Sequence, residues 1–229
     1  NLSKIFTMKE FVTNLDNDDV VLFVDAYDVI VTNKMDDVLN RFLSFECDFL
    51  CSAELNAWPK KGHGRFRRLY KHEYSLNIFP NIGTYMGKVS ALKHFYNWKT
   101  HEQIKTDQGG QTTSLCDQIY FTDYFMSNYK SEKLKLDIHS EIFQNMHNLN
   151  WDELEFVNGE LHNKIFDTKP VLMHFSGGSE NYELENGKLL LSYLSEKIIE
   201  SNYSNIQPLV DCQMNELQKK RIKPQTKQR

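Results

Sequence analysis

Apolar residues along the chain alternate between helix-like spacing and short continuous runs. Residues 3–15 place apolar side chains at near-helical intervals, with Ser3 as a candidate N-cap. After the polar residues 16–19, Val20–Val24 form a continuous apolar run. Such a run is typical of a strand that is buried on both faces of a parallel sheet. The order helix, then buried strand, predicts the start of a layered domain.

The pattern continues with helices and strands in alternation. A helix follows whose inward face is expected to consist of Val38, Leu39, Phe42 and Phe45. Further strands are predicted at 49–51, 82–86, 134–138, 142–143 and 171–174, and further helices at 89–98, 115–129 and 189–199. Gly and Pro between 59 and 64, and the polar stretch 101–113, predict loops. This alternation predicts an α/β domain over residues 1–180, followed by a helical extension at 181–210 and a basic, disordered tail at 211–229.

Composition narrows the classes of function. With 229 residues, 40% of them hydrophobic, the chain can bury a substantial core. No apolar stretch reaches the roughly 20 residues of a membrane-spanning helix, so none is predicted. A net charge of −4 argues against general nucleic-acid binding. The four cysteines (Cys47, Cys51, Cys116 and Cys212) lack zinc-site spacing, and we expect buried free thiols.

Two aspartates follow the first apolar strand. In the run VVLFVDAYDVIV, Asp25 ends the strand and Asp28 comes three residues later. A tight turn would let both carboxylates converge on one cation at the strand's carboxyl end, where ligands of α/β sheets collect. Hard carboxylate ligands suit a divalent ion that holds phosphate oxygens. The alternative makes Asp25 a turn residue and Asp28 a helix cap.

A second candidate lies in KPVLMHFSGG. The predicted strand ends at His174, and Ser176 and Gly177 open a small, flexible turn whose amides are able to approach a diphosphate. An imidazole beside two carboxylates shifts the metal preference from calcium towards manganese or another first-row ion. The alternative is a core histidine with satisfied hydrogen bonds.

Several motifs in collinear order resemble one family. LFVDAYDVIV is similar to the Asp-x-x-Asp segment of the glycosyltransferase domain of procollagen lysyl hydroxylases and their viral relatives. Further similar segments are CSAE (51–54) with Trp58-Pro59, PNIGTYMG (80–87), CDQIYF (116–121), IFQNM (142–146) and DTKPVLMHFSGG (167–178). The resemblance covers roughly residues 1–180, which makes it more specific than any single motif.

This resemblance implies a GT-A-like fold, a Rossmann-like mixed sheet flanked by helices, with a UDP-sugar donor and Mn²⁺. It implies these roles: Asp25, Asp28 and His174 as metal ligands, Tyr27 against the nucleotide, Ser176 and Gly177 near the diphosphate, and Asn81 and Asp117 facing the sugar. Relatives have a further βαβ-sized stretch at the amino end and a cluster of aspartates where only Asp117 stands here. The domain is therefore expected to be incomplete at its amino end.

Glu54 and Trp58 follow the strand at 49–51. We expect both at the mouth of the pocket, where Glu54 would bind or activate an acceptor group and Trp58 would stack on a sugar. The alternatives are a salt-bridged surface glutamate and a core tryptophan. Segment 60–71 carries six Lys and Arg residues. We interpret it as a solvated loop, and attraction of acidic acceptors or phosphate is the alternative.

The predicted function is transfer of a hexose from a UDP-sugar to a hydroxyl, by resemblance that of hydroxylysine or galactosyl-hydroxylysine in a collagen-like chain. Acceptors of protein or glycan type both fit. A non-catalytic binding module with the same fold is the alternative, because the amino end and the aspartate cluster are reduced. A metal-dependent hydrolase with Asp25 as nucleophile is disfavoured, since its accessory motifs are not evident.

Overall fold

The computed structural model describes residues 3–26, 28–58, 60, 63–107, 116–131, 133–158 and 160–176. The helices are α1 Ser3–Thr13, α2 Val38–Ser44, α3 His63–Leu69, α4 Val89–Tyr96, α5 His101–Asp107 and α6 Asp117–Asn128. The strands are β1 Val20–Val24, β2 Val29–Val31, β3 Phe49–Glu54, β4 Phe79–Lys88, β5 Leu134–Asp137, β6 Phe143–Asn145, β7 Leu154–Val157, β8 Glu160–Asn163 and β9 Leu172–His174. Two 3-10 turns, Met35–Asp37 and Trp151–Glu153, complete the elements.

The strands form two mixed sheets and a hairpin. The larger sheet has the order β1-β4-β3-β5, in which β4 is antiparallel to both neighbours and β5 is parallel to β3. The smaller sheet has the order β2-β9-β6, with β2 antiparallel and β6 parallel to β9. β7 and β8 form the hairpin. The predicted α/β class with a mixed sheet is confirmed, although β1, expected in a parallel arrangement, is antiparallel to β4.

Aromatic residues dominate the largest core. Phe49 on β3 contacts the rings of Tyr85, Phe95 and Phe121, which come from β4, α4 and α6. A second cluster, around Phe42, lies between α2 and both sheets. Burial of such rings is the main stabilising contribution to a domain of this size.

One buried carboxylate ties the two sheets together. Asp137 ends β5, and its side chain accepts hydrogen bonds of 2.8 Å from the backbone N–H groups of Glu141, Ile142 and Phe143 at the start of β6. Burial raises the pKa of Asp137 to about 6, against the lowering effect of these three N–H groups. These bonds fix the start of β6 in the smaller sheet to the end of β5 in the larger sheet.

Several predictions about individual elements are wrong. Val20–Val24 is an edge strand whose residues are at least partly exposed, because only β4 pairs with it among the described residues. Leu39 is 47% exposed, since the short α2 turns only Val38 and Phe42 inward. The stretches predicted as loops contain helices α3 and α5, anchored by buried Phe66 and Ile104.

Other predictions agree with the structure or lie outside it. Helices α1, α4 and α6 occupy the predicted segments with ends shifted by up to two residues. Cys47 and Cys51 are buried thiols, as expected. Among the described helices, none is long and apolar enough to cross a membrane. The predicted helix at 189–199, the extension at 181–210 and the tail at 211–229 lie outside the described residues.

Candidate metal and donor site

The turn that leads from β1 to β2 connects the two sheets. The backbone N–H of Asp25 donates to the carbonyl of Gly83 in the larger sheet at 2.8 Å. The carbonyl of Asp28 accepts from the N–H of Phe175, just beyond β9 in the smaller sheet, at 2.7 Å. Each aspartate is therefore fixed by backbone bonds to a different sheet. Asp28 precedes a strand, so the helix-cap alternative is wrong.

Asp25, Asp28 and His174 come together at this junction. Each offers one ligand atom, and the three atoms lie within 4.8 Å of one another. The two aspartates are half-buried and the histidine is buried. A divalent cation of the first transition row accepts this combination of carboxylate oxygens and imidazole nitrogen. The predicted convergence at the rim of the sheets is present.

The imidazole of His174 lacks a hydrogen-bond partner. Its exposed fraction is 2%, and both ring nitrogens are buried and unpaired within the described part of the chain. Nε2 is 3.4 Å from Asp28 Oδ2, and the two atoms do not have hydrogen-bond geometry. An unsatisfied buried group costs about 1–3 kcal/mol. A cation bound to one nitrogen would satisfy that nitrogen, so the residues fit a metal, and the alternative of a satisfied core histidine is not supported.

A bulge in β4 forms the floor beneath His174. The register with β3 moves from Cys51↔Tyr85 to Ser52↔Asn81, so residues 82–84 have no partner on β3. Such bulges redirect a strand near functional sites. Gly83 lies within the bulge, and a Cβ there would sit 2.7 Å from Nε2 and 2.9 Å from Nδ1 of His174. Only glycine leaves room for the ring.

Lys4 is a site residue that the sequence did not predict. Its Nζ lies 2.6 Å from Asp25 Oδ1 and 3.0 Å from Asp117 Oδ2. Burial opposes the charge on Lys4, but the two carboxylates raise its pKa. Burial likewise favours neutral Asp117, yet the Lys4 ammonium holds the pKa of Asp117 below its usual value. Lys4 thus links Asp117 electrostatically to the three-residue cluster.

Helix α6 begins at Asp117, as predicted, and its second residue fixes it to β4. Gln118 Oε1 accepts from the N–H of Ile82 at 2.9 Å, and Gln118 Nε2 donates to the carbonyl of Pro80 at 2.7 Å. These bonds hold the backbone on both sides of Asn81.

Glu54 and Asn81 form a buried polar pair next to the bulge. Asn81 Nδ2 donates to Glu54 Oε1 at 3.2 Å, and Asn81 Oδ1 accepts from the N–H of Gly83 at 2.9 Å. Burial raises the pKa of Glu54 to about 7, partly offset by the Asn81 bond. The surface-glutamate alternative is therefore wrong. A carboxyl that titrates near neutrality is suited to proton transfer.

We expect Glu54→Gln to change how stability depends on pH. A raised pKa means that the folded state prefers protonated Glu54, so wild-type stability falls as pH rises from about 4.5 to about 7. The glutamine variant lacks this loss and should gain on the order of 2–3 kcal/mol relative to wild type between about pH 5 and pH 8. Urea unfolding at both pH values measures this difference. If the variant and wild type differed in unfolding free energy by the same amount at pH 5 and pH 8, the raised pKa of Glu54 would be contradicted.

The remaining predicted residues have different positions. Ser176 is half-buried, and its hydroxyl donates to Asn145 Oδ1 at 3.0 Å. Asn145 on β6 is the cross-strand partner of His174 on β9. Its buried side-chain amide nitrogen has no partner within the described residues, so it is available to donate a hydrogen bond to a ligand. The sequence did not predict this role for Asn145. Trp58 is 65% exposed, so the core-tryptophan alternative is wrong. Tyr27 and Gly177 lie outside the described residues.

Comparison with known proteins identifies the family. The chain matches the PLOD GT domain family over residues 2–203. It is 32% identical over 168 residues to procollagen-lysine,2-oxoglutarate 5-dioxygenase of Drosophila melanogaster, covering 70% of this chain and 22% of that protein. It is 28% identical over 197 residues to human multifunctional procollagen lysine hydroxylase and glycosyltransferase LH3, covering 83% of this chain and 24% of that protein.

The chain therefore spans less than a quarter of the length of these relatives. Among solved structures, mouse xyloside xylosyltransferase 1 aligns with a TM-score of 0.42 at 14% identity, over 76% of this chain and 64% of that one. Galactosyltransferase LgtC aligns with a TM-score of 0.43 at 13% identity, over 76% and 58%. The family match agrees with the collinear motifs and the mixed α/β architecture. The chain belongs to the PLOD GT domain family, the glycosyltransferase domain of the procollagen lysine hydroxylases.

Proposed function

We propose that this chain transfers a hexose from a UDP-sugar to a hydroxyl acceptor in a reaction that depends on a divalent metal ion. The observation that carries the proposal is the convergence of Asp25, Asp28 and a buried, unpaired His174 within 4.8 Å. Family membership supports the reaction class. Such a cluster suits nucleotide-sugar transfer, because negative charge develops on the diphosphate as the glycosidic bond breaks.

The metal is proposed to be Mn²⁺, held by Asp25, Asp28 and His174. When bound, the ion supplies Lewis-acid stabilisation to the departing diphosphate. Lys4 has a second part in this arrangement, because its ammonium occupies one oxygen of Asp25. We expect Lys4 to release Asp25 when the cation binds and to remain paired with Asp117. Ser176, with Gly177 and Tyr27 by resemblance, would bind the diphosphate and nucleotide.

The sugar is proposed to bind between the bulge of β4 and the start of α6. Asn81 and Asp117 would position its hydroxyls, since Gln118 holds the backbone around Asn81 and Lys4 holds Asp117. Glu54, with its pKa near 7, would accept the proton of the acceptor hydroxyl. Of the two proposed catalytic carboxyls, Glu54 bonds to Asn81 directly, and Asp117 precedes Gln118, which bonds to the backbone around Asn81.

The acceptor is proposed to be hydroxylysine or galactosyl-hydroxylysine in a collagen-like chain. The names of the relatives, which specify procollagen lysine, support this choice. Exposed Trp58 follows β3 and would stack on the acceptor side.

Donor hydrolysis and binding test the proposal together. We expect the chain to hydrolyse at least one UDP-hexose with Mn²⁺ and to lose this activity in EDTA, measured as UDP release. Mn²⁺ with UDP should also raise the melting temperature, because a ligand that binds only the folded state stabilises it. No turnover, but a thermal shift from UDP and Mn²⁺, would favour the non-catalytic binding module. If the chain showed no turnover and UDP with Mn²⁺ caused no thermal shift, the proposal would be contradicted.

A further inference from the structure

Helix α3 has one buried face that fixes it to the core. Phe66 is 1% exposed, and its ring contacts Phe79 of β4 and Phe125 of α6 with centroids 5.9 Å and 5.4 Å away. The ring of His63, the first residue of α3, stacks on Phe79 at 5.0 Å. The helix is therefore a rigid support for the side chains on its outer face.

Two arginines on the outer face are available for a ligand. Arg67 is engaged, because its Nε donates to His63 and its guanidinium lies over the Phe79 ring. Arg65 and Arg68 are exposed and form no ion pair with any described residue. They line a groove of ≈ 410 Å³ whose other walls are Leu69, Met126 and Tyr129.

The sequence around α3 is locally basic, although the chain as a whole is acidic. Between Glu54 and Glu73 there are six Lys and Arg residues and no Asp or Glu, whereas the whole chain has a net charge of −4. A local excess of one sign attracts ligands of the opposite sign and orients them before contact. The groove is thus complementary to carboxylates.

The groove is also close in the fold to the proposed acceptor pocket. Phe79, on which α3 rests, is the cross-strand partner of Glu54. Exposed Trp58 lies in the connection between β3 and α3. A polypeptide whose modified side chain reaches Glu54 would pass near this helix.

We infer that the groove between α3 and α6 binds an acidic segment of the acceptor polypeptide, with Arg65 and Arg68 pairing its carboxylates and Tyr129 contacting its apolar stems. That the bound polypeptide is the sugar acceptor rests on the proposed function, whereas the binding of an acidic segment to the groove does not. Arginine clusters recognise acidic motifs through paired N–H donors. A seven-residue helix is about 10 Å long, too short to follow several phosphates of a nucleic acid, and among the groove residues only Tyr129 offers a ring on which a base could stack.

Direct binding to labelled peptides tests the inference. Fluorescence anisotropy would compare a short glutamate-rich peptide with its glutamine counterpart, a single-stranded oligonucleotide and a sulfated oligosaccharide. We expect the glutamate peptide to bind at least about tenfold more tightly than the glutamine peptide, with an affinity that falls as salt rises. Arg65→Glu/Arg68→Glu should abolish this preference.

The matched control is Lys34→Glu/Lys164→Glu, which makes the same charge change at two exposed lysines outside α3. This control should keep the preference for the glutamate peptide. Equal loss in both double variants, or tighter binding of the oligonucleotide or the sulfated sugar, would overturn the inference. UDP and Mn²⁺ binding, measured in the same variants, should stay unchanged. A chain that binds the peptide but no UDP would refute the proposed function alone.

Discussion

Replacing Asp28 with asparagine should weaken Mn²⁺ binding by more than a hundredfold and reduce UDP-sugar turnover by a similar factor. Loss of a hydrogen bond to a metal ligand typically costs 10–100-fold in affinity or activity, and loss of a ligand's charge should exceed that. The asparagine keeps the size of the side chain and leaves the bond from Phe175 N–H to the backbone carbonyl intact. Calorimetric titration with Mn²⁺ and an assay of UDP release measure the two effects.

Lys4→Met provides the control for Asp28→Asn. It keeps all three proposed ligands and removes the ammonium that lies 2.6 Å from Asp25. We expect this variant to bind Mn²⁺ at least as tightly as wild type, because no resident cation competes for the carboxylate. If both variants lost affinity equally, Asp28 would not be a direct ligand. If Asp28→Asn bound Mn²⁺ normally, the proposed metal site would be wrong.

Replacing Gly83 with alanine should weaken metal binding at the same site, because Gly83 lies against the ring of His174. The added Cβ would lie 2.7 Å from Nε2 and 2.9 Å from Nδ1 of His174, so the buried ring would have to shift. Overpacking of this kind costs about 1–3 kcal/mol of folding stability. Because the ring must shift, Mn²⁺ affinity should also fall about 10–100-fold. Urea unfolding and calorimetry measure the two losses separately.

Gly64→Ala is the matched control for Gly83→Ala. It lies in α3, and a Cβ there meets no atom within 4 Å. Alanine also has a higher helix propensity than glycine, so stability should stay equal or rise by up to about 1 kcal/mol. Mn²⁺ affinity should not change. Equal behaviour of the two variants would show that Gly83 does not determine the position of His174.

Sequence patterns predicted the convergence because both halves of the site follow apolar strands. The runs that end at Asp25 and His174 indicated strands, and polar residues just beyond strand ends tend to meet at one edge. The β1–β2 turn then places Asp28 beside them. Periodicity alone left a turn residue, a helix cap and a core histidine as alternatives, and the resemblance of the collinear motifs supplied the three-residue ligand set.

Sequence patterns did not predict Lys4 or Gly83. Lys4 is 21 residues from Asp25 and 113 from Asp117, and its helical surroundings resemble those of any solvated lysine. Gly83 matters because of a register change within β4, which hydrophobic periodicity does not encode. Both depend on tertiary packing, which overrides local preference.

The misassigned elements have similar causes. An apolar run such as Val20–Val24 indicates a strand but not whether neighbours pair on both sides, and here β1 lies at an edge. The glycines near α3 suggested a loop, whereas burial of Phe66 between two aromatic rings stabilises a helix. The strand β2 has only three residues, too few for a recognisable period.

The location of bound manganese in a crystal of the chain grown with Mn²⁺ and UDP tests the metal site most directly. Anomalous scattering identifies the ion independently of any assumed role. We expect one strong peak about 2 Å from a carboxylate oxygen of Asp25, a carboxylate oxygen of Asp28 and a ring nitrogen of His174. A peak elsewhere, with the imidazole still unliganded, would contradict the metal-dependent transfer proposed for this chain.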